Sequence, residues 1–185
     1  ITRKIPEQNS ALKAGAWSDR PHEIDLLRGQ VRRIAGNTVG IFGLGSIGKG
    51  FASRIRGFGP AKIIACDPYV PQTTADLYGV QLVDFETLLR ESDYITVHSP
   101  ATAETHHIFD MDECRRMKPS AVFINCARGP IVDEAGLQQA LETGEIVAAG
   151  IDVTEIETLD AESPLLKLDN LTISPHVAGS SEVSG

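Results

Sequence analysis

Residues 38–48 constrain the fold of this chain more than any other stretch. Thr38-Val39-Gly40-Ile41-Phe42 is a continuous apolar run, the pattern of a strand buried on both faces. It passes directly into Gly43-Leu44-Gly45-Ser46-Ile47-Gly48. A helix is predicted next, with Ile47, Phe51, Ile55 and Phe58 spaced as one apolar stripe and Gly57, Gly59 and Pro60 ending it. A strand, a G-x-G-x-x-G turn and a helix in that order open a βαβ unit.

The alternation continues along the chain. Strands are predicted over 62–66, 80–83, 94–98, 121–126, 147–153 and 171–174, and helices over 84–91, 110–118 and 133–143. The helix over 110–118 opens on Asp110-Met111-Asp112-Glu113, a capping-box pattern, and stops before Pro119. The helix over 133–143 turns Leu137, Ala140 and Leu141 inward and stops at Gly144. Before residue 38 the texture is mixed: a short polar helix over 5–14, then a connector over 15–21 carrying the lone Trp17. Strands alternating with helices of about ten residues imply right-handed crossovers and a doubly wound, mostly parallel α/β sheet flanked by helices. Ligands in such sheets bind beyond the carboxyl ends of the strands. That rule nominates residues 43–48, Asp67, 98–100, 126–128, 152–157 and 175–179.

Charge narrows the possible partners. The 185 residues carry a formal net charge of −8 with no long basic run, which argues against a nucleic-acid or anionic-membrane surface. No apolar stretch approaches the roughly 18–20 residues of a membrane span, and the opening Ile-Thr-Arg-Lys lacks the layout of a signal peptide. Cys66, Cys114 and Cys126 are odd in number, far apart and without a C-x-x-C pair. They read as small buried thiols in a reducing, cytoplasmic setting rather than as disulfides or zinc ligands. His22, His106 and His107 fall in predicted loops as solvated residues, and no metal site is expected.

Each glycine of the turn has a physical task. Gly43 permits the tight turn, Gly45 lets the backbone approach a pyrophosphate, and Gly48 allows close packing of helix on strand. The anion then rests on the free N–H groups at the helix start. Asp67 falls nineteen positions after Gly48, at the end of the second predicted strand. A carboxylate there accepts hydrogen bonds from the hydroxyls of an adenosine ribose and repels a 2′-phosphate, which favours NAD over NADP. A methyltransferase fold also places an acid after its second strand, so this pair alone leaves S-adenosylmethionine open.

Three later strand ends carry polar residues that a plain scaffold does not need: Arg128 in Asn125-Cys126-Ala127-Arg128, Asp152, Glu155 and Glu157 in the run after Gly150, and His176 in Ser174-Pro175-His176. They share one sheet edge. Arg128 is suited to grip a substrate carboxylate with paired hydrogen bonds and polarise the adjacent carbonyl. His176 is suited to exchange a proton with that carbonyl oxygen as hydride arrives, and Glu157 to fix the imidazole's tautomer.

Together the GLGSIG loop, Asp67-Pro68, NCARGPIVDEAGLQQAL, GIDV and SPHVAG resemble the nucleotide-binding Rossmann domain of the D-isomer-specific 2-hydroxyacid dehydrogenases, from about Trp17 to the chain end. The resemblance implies reduction of small 2-oxo acids with NADH by an Arg–Glu–His set, falling on Arg128, Glu157 and His176. It implies that Asp152 holds the nicotinamide carboxamide, and that Ser46, Ile47, His98, Pro100, Cys126 and Ala127, with Gly179, line the cofactor. In the family the glutamate usually precedes a proline. Here Thr158 follows Glu157, so Glu155 is the competing acid, although the motif position matches Glu157. Formate dehydrogenases of the same superfamily carry glutamine there, and the acid argues against that branch.

The resemblance also implies a second, substrate-binding domain. Residues 1–37 are then a linking helix and connector, 38–179 the NAD-binding domain, and 180–185 a tail leading back. Such a cofactor domain is expected to turn over little alone, and to form a homodimer. The alternative is an NAD(H)-sensing, corepressor-like binding module of the same fold.

Overall fold

A computed structural model describes residues 3–180. In chain order its elements are α1 (Ile5–Lys13), α2 (Ala16–Asp19), α3 (Pro21–Gly29), β1 (Thr38–Phe42), α4 (Ser46–Ile55), β2 (Lys62–Cys66), α5 (Gln72–Asp76), β3 (Gln81–Leu82), α6 (Phe85–Glu91), β4 (Tyr94–Val97), α7 (Met111–Arg116), β5 (Val122–Asn125), α8 (Glu134–Thr143), β6 (Ala148–Ile151) and β7 (Leu171–Ile173). The strands form one seven-stranded sheet in the order β3-β2-β1-β4-β5-β6-β7. Every pairing is parallel.

The apolar run at 38–42 becomes β1 because its residues alternate between two covered faces. Val39 and Ile41 pack with Leu44, Ala52, Ile55 and Ile63 on one side. Phe42 packs with Ile64, Leu88, Ile95, Phe109 and Phe123 on the other. The Phe42 and Phe109 rings meet edge-on, 5.1 Å apart. A strand with no solvated face needs no polar alternation, and this explains the unbroken run.

From β1 the chain winds outward to β3, then crosses back to β4 on β1's other side. The reversal opens a crevice at the carboxyl ends of β1 and β4, where Gly43 and His98 stand. Asp110 caps α7 with both halves of the capping box in place, and α8 buries Leu137, Ala140 and Leu141 before closing at Gly144.

Some details depart from the sequence reading, among them the short helix α5, which was not expected. The expected stripe on α4 holds at Ile55, which is buried, and at Phe51, which is half-buried against the core, but Ile47 is 70% and Phe58 62% exposed, and Gly48 and Ala52 complete the buried line. The helix lies so close to β1 that small residues occupy the contact, which spacing of bulky residues alone does not reveal. Residues 16–19 and 21–29 are helical rather than a connector; Pro21 stands in the first turn of α3 and starts the helix instead of breaking it. His22 therefore lies on α3, exposed. Of the three cysteines only Cys114 is buried; Cys66 is half-buried and Cys126 exposed. The tail expected over 180–185 lies, beyond Ser180, outside the described residues.

Candidate active site

The crevice is built around the glycine turn. Gly43 has φ 91°, and a Cβ there would stand 2.8 Å from Ser99 N. At Gly48 a Cβ would stand 2.2 Å from the Gly43 carbonyl oxygen, so helix α4 can sit on the turn only with glycine at that position. Gly45 is different: a Cβ there would meet nothing within 4 Å. That open space faces a helix start with no side-chain cap and no acid in its first turn. The helix's first backbone bond runs from Lys49 N to Gly45 O, leaving the N–H groups ahead of it for an anion. A dinucleotide pyrophosphate fits these groups.

Asp67 fixes the turn from the β2 end. Its Oδ2 accepts from Leu44 N at 2.7 Å and its Oδ1 from Tyr69 N at 2.9 Å. Each oxygen keeps a lone pair for a ribose hydroxyl. A cavity of about 510 Å³ opens beside it, lined by Asp67, Tyr69, Phe85, His98, Thr102 and Glu104, among others. Beyond His98 lies a second recess of about 240 Å³, lined by Ile47, His98, Ser99, Pro100, Cys126, Ala127 and Arg128. His98 thus borders both. Its Nε2 stands 3.1 Å from Thr96 Oγ1, and burial pushes the imidazole below the ordinary histidine range, so it is neutral at pH 7.

The ends of β5, β6 and β7 carry the remaining candidates. Buried Asn125 shapes the turn after β5, accepting from Ala127 N at 3.0 Å and donating to Arg128 O at 2.9 Å. The Arg128 side chain is exposed and donates to Ala127 O at 2.6 Å. Asp152, only 3% exposed, accepts from Ser174 Oγ at 2.5 Å, Val177 N at 3.0 Å and Ala178 N at 2.8 Å. Burial pushes its carboxyl up, but those three donors and the His176 charge outweigh it and hold the group below the ordinary aspartate range. Its backbone oxygen also accepts from His176 N at 2.8 Å. Asp152 thereby pins the loop on which His176 takes a left-handed φ of 52°.

His176 Nδ1 stands 2.6 Å from Glu157 Oε1. A carboxylate only accepts, so Nδ1 carries the hydrogen and Nε2 is left for another partner. Glu155, the competing acid, is taken elsewhere. Its Oε2 is 3.0 Å from His107 Nε2, and its Oε1 accepts from Glu134 N at 2.8 Å. His107 is therefore a half-buried, paired residue and not the solvated one expected, because its loop folds back against the start of α8. Glu134 returns the bond, accepting from Glu155 N at 2.6 Å. Burial first, with the charges of Glu155 and Asp133, pushes its carboxyl up against that bond. A further cavity of about 720 Å³ lies beside this cluster and is lined by neither the glycine turn nor Arg128 or His176. Its size does not make it the site.

The structure thus gathers two groups along one sheet edge. Arg128 shares a recess with Ile47, His98, Pro100, Cys126 and Ala127, while His176, Glu157 and Asp152 are joined by hydrogen bonds or a shared loop. Among the described residues no hydrogen bond joins Arg128 to His176 or Glu157. Gly179 lines none of the cavities described, and a Cβ there would meet nothing within 4 Å. Sequence reasoning missed Tyr69 and Glu104 on the cavity beside Asp67, and Ser174 as a partner of Asp152. The Asp-Pro turn and the paired threonines at 102 and 105 were the available signals. Among the described residues no group of His, Cys, Asp and Glu could hold a metal, and no helix is long and apolar enough to cross a membrane.

Comparison with known proteins agrees with this geometry. Residues 1–178 match the family model for the D-isomer specific 2-hydroxyacid dehydrogenase, NAD binding domain. The chain is 41% identical over 178 residues to a D-3-phosphoglycerate dehydrogenase of Archaeoglobus fulgidus, covering 96% of this chain and 32% of that protein. It is 38% identical over 179 residues to a glyoxylate reductase of Korarchaeum cryptofilum, covering 97% and 53%. The NAD-complexed D-isomer specific 2-hydroxyacid dehydrogenase of Lactobacillus delbrueckii ssp. bulgaricus superposes with a TM-score of 0.82 at 32% identity, covering 98% of this chain and 57% of that one. The chain spans between a third and little more than half of these relatives. With the glycine turn, Asp67 and the parallel sheet in place, it belongs to the D-isomer specific 2-hydroxyacid dehydrogenase family, as an NAD-binding domain.

Proposed function

We propose that this chain is the cofactor half of an enzyme that moves hydride between NADH and the carbonyl of a small 2-oxo acid, giving the 2-hydroxy acid. The observation that carries the proposal is the 2.6 Å pairing of His176 with Glu157 on the sheet edge that also holds Arg128. Bound NADH supplies the hydride. His176 gives the proton from Nε2 to the carbonyl oxygen, and takes it back in the reverse direction. Glu157 keeps Nδ1 protonated and the ring oriented. Arg128, released from Ala127 O, forks onto the substrate carboxylate and stabilises the developing oxyanion. Asp152 holds the His176 loop, and the resemblance gives it the nicotinamide carboxamide as well. Asp67 binds the adenosine ribose, and Ser46, Ile47, His98, Pro100, Cys126 and Ala127 line the path between.

Residues 38–179 form the cofactor unit in this reading and 1–37 the junction to a substrate domain. The relatives named as a phosphoglycerate dehydrogenase and a glyoxylate reductase support the substrate class. They give no support to a corepressor-like module. A cytoplasmic setting is supported by three free thiols. A homodimer is implied by the resemblance alone.

The test is NADH consumption by the full-length protein carrying this sequence, against glyoxylate, pyruvate and hydroxypyruvate. Arg128→Ala and His176→Ala are expected to lower kcat/KM by about 10²–10⁴-fold. Turnover that survives both substitutions would overturn the assignment.

A further inference from the structure

The 510 Å³ cavity beside Asp67 has two walls of opposite origin and one sign of charge. One wall is the loop after β2, with Asp67 and Tyr69. The other is the loop after β4, with Thr102, Glu104 and Thr105. Tyr69 Oη donates to Glu104 Oε2 at 3.2 Å across the gap. The Glu104 turn is itself fixed: Thr102 N donates to Thr105 Oγ1 at 2.8 Å, and that hydroxyl donates to Pro100 O at 2.8 Å. At the foot of the cavity Asp84 caps α6, and its bond from Thr87 N holds the carboxyl below the ordinary range. Among the described residues three carboxylates therefore line the cavity, no Lys or Arg does, and the one imidazole, His98, is kept neutral by burial. The Tyr69 hydroxyl registers this field: the hydrogen bond to Glu104 and its charge, and more weakly the Asp67 charge, hold the phenol above its usual range.

We propose that Glu104, held in place by Tyr69, is a second determinant of cofactor choice, acting from the wall opposite Asp67 to exclude a dinucleotide phosphorylated on the adenosine ribose. The proposal rests on the adenosine of the cofactor occupying this cavity. Asp67 discriminates by contact, since a ribose hydroxyl donates to it and a phosphate cannot. Tyr69 takes up one oxygen of Glu104 and fixes where its charge stands. Glu104 acts through charge, on a 2′-phosphate that would enter a space with negative groups on both sides and no cation to neutralise it.

The experiment measures dissociation constants of NADH and NADPH on the full-length protein carrying this sequence by nicotinamide fluorescence, at 50 and 500 mM salt. The proteins are the wild type, Glu104→Gln, Glu104→Lys, Tyr69→Phe and Asp67→Asn, with folding checked by circular dichroism. Glu104→Gln is expected to improve NADPH relative to NADH by about three- to tenfold at low salt, and the gain is expected to shrink at high salt. Glu104→Lys must exceed it, and Tyr69→Phe must give a smaller gain. If Asp67→Asn shifts the NADH/NADPH ratio while both Glu104 variants leave it unmoved, the role of Glu104 is overturned and the cavity assignment stands. If none of the variants shifts the ratio, or the wild type binds neither dinucleotide, the placement of adenosine in this cavity falls and the proposal falls with it.

Discussion

Glu157 Oε1 and His176 Nδ1 lie 2.6 Å apart although nineteen positions separate them in the chain, while Glu155, two positions before Glu157, is bound to His107. Two acids of one loop therefore have different partners. Glu157→Gln in the full-length enzyme is expected to lower kcat/KM by about 10²-fold with little change in melting temperature, because it frees the imidazole's tautomer and touches no core. Glu155→Ala is expected to do the reverse. It leaves Glu134 N and His107 without their acceptor and costs about 1–2 kcal/mol of stability, with kcat changed only a few-fold. Steady-state kinetics and thermal melts on both variants check this, and equal catalytic losses would contradict the separation of roles.

The glycines at 45 and 48 give a second contrast. A Cβ on Gly48 would stand 2.2 Å from backbone, whereas one on Gly45 would meet nothing within 4 Å. Gly48→Ala is expected to lower stability by about 1–3 kcal/mol, since neither the helix nor the turn can yield without repacking. Gly45→Ala is expected to leave the urea midpoint unchanged yet weaken NADH binding at least tenfold, because the new methyl occupies the approach to the helix start. Urea titration and NADH fluorescence separate the two effects. A Gly45→Ala protein that binds NADH as the wild type does would show that the pyrophosphate lies elsewhere.

The sequence made the sheet legible because its central strands have two buried faces, and a run such as Thr38–Phe42 admits few other placements. The glycine turn and Asp67 were legible for the same reason: they follow strands whose ends the topology places together. What escaped depended on contacts between distant segments. The burial of Gly48 and Ala52 in place of Ile47 follows from how closely α4 approaches β1. The pairing of His107 with Glu155 joins residues 48 apart through loop geometry that no local pattern encodes. Tyr69 and Glu104 likewise meet across 35 positions.

Asp152 ties pH to the integrity of the site. Its carboxyl is held below the ordinary aspartate value of 3.8, against the upward push of burial, by Ser174, Ala178, Val177 and the His176 charge. A carboxyl lowered on folding contributes stability that is present above its unfolded value and is lost as pH falls through the folded one. Asp152→Asn is therefore expected to be less stable than the wild type by about 1–3 kcal/mol at neutral pH, and the gap is expected to narrow only below about pH 4. Urea midpoints of both proteins between pH 3 and pH 8 measure it. A gap that stays constant through the acid range would mean that the charge on Asp152 is not what holds residues 174–178.

Thr158 stands where the family usually has proline after the glutamate, and its backbone lies at φ 69°. A β-branched residue in the left-handed region is strained, by roughly 1–3 kcal/mol, and proline cannot enter that region because its ring fixes φ near −65°. The departure from the family pattern and the unusual φ are thus two aspects of one local structure: in this chain the segment after Glu157 turns in a way that excludes the proline. Thr158→Gly is expected to raise the melting temperature by a few degrees, since glycine accepts the same φ without the steric cost. Thr158→Pro is expected to force the segment onto another path and to move Glu157 relative to His176. Loss of stability would report the first effect, and a changed His176 imidazole signal in NMR the second. If Thr158→Pro is as stable as the wild type and leaves that signal in place, the left-handed turn is not what positions Glu157.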